Sequence, residues 1–186
     1  ASIRELTGVD GIDVSLAKRI ECLKNDTQGM LEELSLAESR GVRVITLADT
    51  DYPKPLREIA DPPLALYVRG EITQFCEPAV AIVGTRRASI YGLQMAERLA
   101  FELASVGVTI ISGLARGIDA AAHRGALKAN GRTLAVVGSG LNAIYPPENI
   151  DLSRQISSKG ALLSEYTMLA LPLKQHFPQR NRIISG

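Results

Sequence analysis

At 186 residues the chain has room for one α/β domain with a small module in front of it, and for two units at most. Its 46% apolar and 22% charged residues are those of a soluble globular protein, and no apolar run approaches the roughly 20 residues that cross a bilayer, so no membrane insertion is expected. The net charge of +1 hides an asymmetry: residues 1–75 hold 9 Lys+Arg against 13 Asp+Glu, residues 76–186 hold 12 against 7, and a polyanion-binding surface belongs in the second part.

The chain starts at Ala1–Glu5 with no apolar stretch of the kind that makes a secretory signal. Leu6-Thr7-Gly8-Val9-Asp10-Gly11-Ile12 loosely resembles a helix-hairpin-helix turn, but the segment is acidic and a plain interhelical turn fits better. Helical spacing follows in Ser15–Leu23 (Leu16, Ile20, Leu23) and Gly29–Arg40 (Met30, Leu31, Leu34), with Gly41 placed to cap the second helix. Val42–Leu47 reads as a strand, Tyr52-Pro53-Lys54-Pro55 as a turn into a helical piece at 56–59, and Ala65–Arg69 as a short strand after Pro62-Pro63. Residues 1–75 are therefore expected to form a small helical module of the SAM or helix-hairpin-helix kind plus a connecting extension. Cys22 and Cys76 make no CxxC pair, which argues against a disulfide framework or a zinc site and suits a reducing cytoplasm.

From Ala79 onward the pattern changes. Apolar, β-branched-rich runs at 79–83, 108–111, 133–137 and 161–163 alternate with helical stretches at about 91–106, 118–130 and 148–158, the order of a parallel sheet wrapped by crossover helices. The expected fold is α/β, with a Rossmann-like parallel sheet spanning residues 76–186.

In such a sheet, ligands bind beyond the carboxyl ends of the strands. The residues there are Gly84-Thr85-Arg86-Arg87, Ser112-Gly113-Leu114-Ala115-Arg116-Gly117, Gly138-Ser139-Gly140-Leu141 and Ser164-Glu165-Tyr166. Glycines and small hydroxyls let backbone N–H groups approach an anion, and arginine offers paired donors that match phosphate. Each glycine taken alone is explained by a tight turn; three adjacent loops of one type point to a phosphate-binding face. The last segment adds Lys174, Arg180, Asn181 and Arg182 around Phe177, a basic cluster beside an aromatic that suits a single strand, although one Phe after a Pro-rich loop is as readily core.

Two rivals carry enzymatic readings. Gly138-Ser139-Gly140-Leu141-Asn142-Ala143 fits GxGxxA with Glu165 beyond it, yet Tyr145-Pro146-Pro147 intervenes where a dinucleotide fingerprint must open into a helix. Asp119 and His123, one helical turn apart, with Glu165, suggest a nucleotide hydrolase; the alternative is that Asp119 caps a helix and His123 bonds a neighbouring loop.

The same residues carry a family resemblance. Gly84-Thr85-Arg86-Arg87, the run from Ser112 to His123, Gly138-Ser139-Gly140-Leu141 with Tyr145-Pro146, Leu163-Ser164-Glu165-Tyr166 and the run Phe177 to Ile184 together resemble the DNA-processing protein A (DprA/Smf) family. The extension at 47–70, with Asp51-Tyr52-Pro53 and Asp61-Pro62-Pro63, shares it to a lesser degree. The resemblance implies a Rossmann-like domain behind a small helical domain, sequence-independent binding of single-stranded DNA, homodimerisation, and delivery of a RecA-type recombinase during natural transformation. The residues themselves are read as those of a cytoplasmic protein that is not an enzyme and needs no cofactor or metal. Two departures stand out: Pro147 replaces the Lys that many relatives carry after Tyr-Pro, and the chain stops at Ile184-Ser185-Gly186, where the family's domain continues, so a truncated product with an exposed sheet edge is expected.

Overall fold

The computed structural model describes residues 2–24, 27–72 and 78–186. It falls into two compact units, Ala1–Leu36 and Ala37–Gly186. The boundary expected between Phe75 and Cys76 lies outside the described residues.

In the first unit, α1 (Ile3–Leu6) starts on a capping box: Ser2 Oγ accepts from Glu5 N, and Glu5 Oε2 accepts from Ser2 N at 2.6 Å. Residues 6–12 close as consecutive turns, with Gly11 at φ +83°, and Asp13 then accepts the amide of Leu16 at 2.7 Å as α2 (Val14–Lys24) begins. Ala17 is fully buried, whereas Leu16, Leu23, Met30, Leu31 and Leu34, the apolar stripe of α2 and α3 (Thr27–Ser39), are exposed.

The second unit is a six-stranded sheet in the order β1-β2-β6-β5-β4-β3. Its strands are β1 (Val42–Thr46), β2 (Ala65–Gly70), β3 (Ala79–Ala81), β4 (Thr109–Ser112), β5 (Thr133–Val136) and β6 (Ala161–Ser164). Strands β3, β4, β5 and β6 run parallel, linked by α5 (Ile90–Ser105), α6 (Ile118–Lys128) and α7 (Ile150–Lys159). This is the Rossmann-like order expected from the alternating runs. The segment read as a connecting extension is built into the same sheet, since β2 pairs antiparallel with β6 (Val68 opposite Leu163) and β1 antiparallel with β2.

Apolar burial covers both faces. On one, Ile82, Val108 and Ile110 pack against the alanines of α5 and α6. Helix–helix approach there depends on Gly125, where a Cβ would stand 2.1 Å from the Glu97 carbonyl oxygen. On the other, Val68, Leu134, Val136 and Leu163 meet Leu56 of α4 (Lys54–Glu58) and Ile183 and Ile184 of α8 (His176–Ser185). Tyr52 is buried in that layer and donates to Pro63 O at 2.7 Å, tying the entry of α4 to the entry of β2. Strand β3 forms the sheet edge with all three residues exposed.

Candidate nucleic-acid interface

The carboxyl ends of β3 and β4 are joined by one buried carboxylate. Asp119, in the first turn of α6, accepts Gly84 N at 3.3 Å and Gly113 N at 3.2 Å, so one side chain clamps the loops after β3 and β4. Gly117 holds φ +76°, and a Cβ there would meet Thr85 O at 2.2 Å, so glycine is required where these loops touch. Ser112 is buried and donates to Ile82 O at 2.6 Å. From α8, Arg180 enters the same interior: its Nη1 donates to Gly113 O at 2.7 Å and also to Val136 O, and its Nε to Asn181 Oδ1 at 3.1 Å. Burial pulls the Arg180 guanidinium below its ordinary value, and the Asp119 carboxylate acts against that.

The first part of the loop after β5, residues 137–141, is buried. Gly140 N donates to Ala170 O at 2.8 Å, Ser139 O accepts from Ser164 Oγ at 2.7 Å, and Gly138 O lies 3.2 Å from His176 Nδ1, which therefore carries the proton in that bond. His176 is stacked on Tyr166, with centroids 3.9 Å apart. The N–H groups of Gly84, Gly113 and Gly140, read from sequence as facing an anion, are thus engaged inside the protein. These glycines shape the loops; Arg180, also read as facing a phosphate, is a strut beneath them.

At the surface, two half-buried rings lie between two exposed arginines. The Arg86 guanidinium lies 5.0 Å from the Phe177 ring centroid, Phe177 is 6.0 Å from Tyr145 at an interplanar angle of 54°, and Arg116 lies 5.9 Å from Tyr145. Arg86, Tyr145, Pro146 and Phe177 line one small cleft with Gly113 and Arg116. Arg116 is bonded to Glu148, with Nη2–Oε2 at 3.0 Å, and stays half exposed. Its loop is fixed from below by buried Asn149, whose Nδ2 donates to Leu114 O at 2.8 Å. Thr85 Oγ1 accepts Arg87 N at 3.2 Å; Arg86, Arg87 and Lys174 are exposed and enter none of the ion pairs among the described residues. Arg182 is held on both sides, by Glu165 (Nη1–Oε2 2.8 Å) and by Asp61 (Nε–Oδ2 2.9 Å).

Sequence reasoning named Arg86, Arg116 and Phe177 but not Tyr145 or Glu148 as parts of one site. The signal for Tyr145 was its place immediately before Pro146, three residues ahead of an acid able to reach Arg116. The groups offered for acid–base chemistry are engaged elsewhere. Asp119 holds two amides, Glu165 holds Arg182, and His123 is fully buried with Nδ1 2.7 Å from Thr133 Oγ1, whose own proton goes to Ile110 O. Burial, reinforced by Arg180 and Arg124, drives His123 down to about 3, so it is neutral and closed to solvent at neutral pH. Residues 138–143 do not open into a helix; α7 starts only at Ile150, after a single 3-10 turn at Pro147–Asn149. Among the described residues, no three His, Cys, Asp or Glu side chains are grouped to hold a metal ion.

The family model for DNA recombination-mediator protein A matches residues 43–186. The chain belongs to this family. It is 44% identical over 153 residues to Protein Smf of Synechocystis sp., covering 80% of the chain and 38% of that protein, and 38% identical over 169 residues to DNA processing protein DprA of Bacillus subtilis, covering 88% and 57%. The chain thus spans about half the length of the curated relatives it matches, or less. The structure of DNA processing protein A from Streptococcus pneumoniae superposes on the whole chain with a TM-score of 0.87 at 34% identity, covering 63% of that protein. That of the Helicobacter pylori protein, studied for its single-stranded DNA binding mode, superposes on 76% of the chain with a TM-score of 0.68 at 37% identity, covering 64% of that protein.

Proposed function

We propose that the chain binds single-stranded DNA without sequence preference, at the strand ends of the Rossmann-like unit, as a component of DNA processing in natural transformation. The observation that carries the reading is the Arg86–Phe177–Tyr145–Arg116 row. Guanidinium groups supply phosphate contacts and the half-buried rings supply surfaces for unpaired bases, the combination that suits a single strand and tolerates any sequence. Arg87 and Lys174 extend the cationic rim. Gly84, Thr85, Ser112, Gly113, Gly117, Gly138, Ser139, Gly140, Arg180, Asn181 and Arg182 support it from beneath and beside. The Helicobacter pylori relative, with its single-stranded DNA mode, supports the same ligand. The chain then acts as a binder and not a catalyst, with a RecA-type recombinase and a second copy of itself as partners in the full-length protein, in the cytoplasm. The described helices include none long and apolar enough to cross a membrane.

The test is fluorescence anisotropy of labelled oligothymidine at two salt concentrations, beside the matching duplex. Single-strand preference and a log–log salt slope of about −0.7 per phosphate contact are expected. Equal affinity for duplex and single strand contradicts the reading.

A further inference from the structure

The two arginines of the row are held differently. Arg86 enters none of the ion pairs among the described residues, whereas Arg116 already carries a carboxylate of the protein itself. Glu148 takes the guanidinium edge formed by Nε and Nη2, with Nη2–Oε2 at 3.0 Å. That is the two-bond geometry in which arginine also holds a phosphate. The hydrogen bond from Arg116 keeps the Glu148 carboxyl below the usual carboxylate range, and Glu148 lifts the Arg116 guanidinium above its own. Both groups are therefore charged at neutral pH, and the pair as a whole is neutral.

The backbone keeps the partners together. Glu148 lies in the 3-10 turn Pro147–Asn149, and the next residue, buried Asn149, donates to Leu114 O at 2.8 Å and to Ala115 O at 3.4 Å. On the other side of Arg116, Gly117 is pressed so close to the loop after β3 that a Cβ would stand 2.2 Å from Thr85 O. The main chain at 148 and at 116 is thus fixed from both sides, and only the side chains can part. Both are half exposed, so water screens the pair and it holds weakly. The tether offsets that weakness: a carboxylate kept within reach of Arg116 acts at a high local concentration, against which a strand from solution must compete.

We infer that Glu148 is an internal competitor of the DNA backbone, occupying Arg116 as a phosphate would, so that a strand is held first at Arg86 and gains Arg116 only against this carboxylate. The inference rests on the DNA reading above for the identity of the strand. A phosphate at Arg116 either displaces Glu148, which leaves a free carboxylate beside the strand, or sits at a guanidinium whose charge is already neutralised. Glu148 weakens binding in both cases. In both, too, the contact adds little to the salt dependence, because a neutral pair brings no net charge to replace the counterions of the strand.

The experiment is anisotropy of labelled oligothymidine over a salt series, with the unmodified chain, Glu148→Gln, Arg116→Ala and the double variant. Glu148→Gln keeps the shape and removes the charge. It is expected to bind about two- to fivefold more tightly at low salt, the range an exposed ion pair can hold back. Its log–log salt slope is expected to steepen by about 0.7, one added phosphate contact. Both gains should vanish when Arg116→Ala is combined with it. Glu148 is exposed, so the melting temperature should hold, and Glu148→Ala serves as a second variant with the same expected direction. Weaker binding by Glu148→Gln makes Glu148 a residue that orients Arg116 for the strand and overturns the inference; so does unchanged affinity for a strand that the unmodified chain binds, or a gain that survives in the double variant. Calorimetric titration of the same variants with inorganic tripolyphosphate separates this inference from the DNA reading. Tighter tripolyphosphate binding by Glu148→Gln, in a chain that takes no oligothymidine, sustains Glu148 as the competitor and removes DNA as the ligand. No gain with either anion overturns the inference.

Discussion

Asp119→Asn is the substitution that most directly probes how the site is held. The carboxylate accepts two backbone amides, at 3.3 Å and 3.2 Å, inside a residue only 4% exposed. An amide of the same shape keeps one acceptor and turns an NH2 toward the other N–H. One charge-assisted bond, about 1.5–3 kcal/mol, is replaced by two donors facing each other, and the second bond weakens to a neutral one. Arg180 also loses the nearby charge that favours its ionised form. The expected sum is about 3 kcal/mol. For a unit of this size that is a fall in melting temperature of about 6–12 °C. Urea denaturation of the variant and the unmodified chain measures it. Because the clamped loop carries Arg86, oligothymidine affinity should also fall at temperatures where the variant remains folded. A stability change within about 0.5 kcal/mol, as at an ordinary surface position, refutes the clamp.

Other expectations follow from the same geometry. Gly113→Ala places a Cβ 2.3 Å from Arg180 Nη1 and should cost about 1–3 kcal/mol by overpacking, measured in the same denaturation assay. His123 is neutral in the folded chain, at about 3, while the unfolded chain takes up its proton near the ordinary 6.5. Its contribution is therefore whole above pH 6.5 and is lost as pH falls toward 3, at up to about 1.4 kcal/mol per pH unit. Its ring protons should show no titration shift by NMR between pH 7.5 and 5; a midpoint near 6.5 contradicts this placement. Glu165→Gln removes an ion-pair partner of Arg182, which keeps Asp61, so oligonucleotide affinity should change less than in Arg86→Ala by anisotropy. Phe177→Ala removes the ring beside Arg86 and should weaken single-strand binding while leaving the salt slope in place, since no phosphate contact is lost.

The parallel core was legible because β4, β5 and β6 are buried and read as unbroken apolar runs, as at Leu134-Ala135-Val136, whereas β3, read in the same way, is an exposed edge. The membership of β1 and β2 in that sheet was not. The pairing of β2 with β6 joins residues about ninety positions apart, Gly70 with Ala161, and nothing in Ala65–Gly70 announces its partner. Helix α8 escaped because its sequence, HFPQRNRIIS, carries Pro178 and few apolar residues. Pro178 is tolerated since it lies in the first turn, where its missing N–H has no intrahelical partner to lose. At the site, residue type identified Arg86, Arg116 and Phe177 but not their exposure. Arg180 and Arg86 are the same residue in a sequence; one is buried at 5% under the loops and the other is exposed above a ring, a difference set by α8 packing on the sheet. The stripe Leu16, Leu23, Met30, Leu31 and Leu34 had helical spacing and formed helices, but spacing did not report that these side chains stay exposed.

The central claim is that exposed arginines beside aromatic rings at the strand ends hold single-stranded DNA. It is tested most directly by anisotropy of labelled oligothymidine with the unmodified chain and Arg86→Ala, each at two salt concentrations and against the duplex. The account predicts salt-sensitive preference for the single strand, with Arg86→Ala binding more weakly on every sequence and with a slope smaller by about 0.7. Undiminished affinity in Arg86→Ala, or no preference for the single strand, contradicts it.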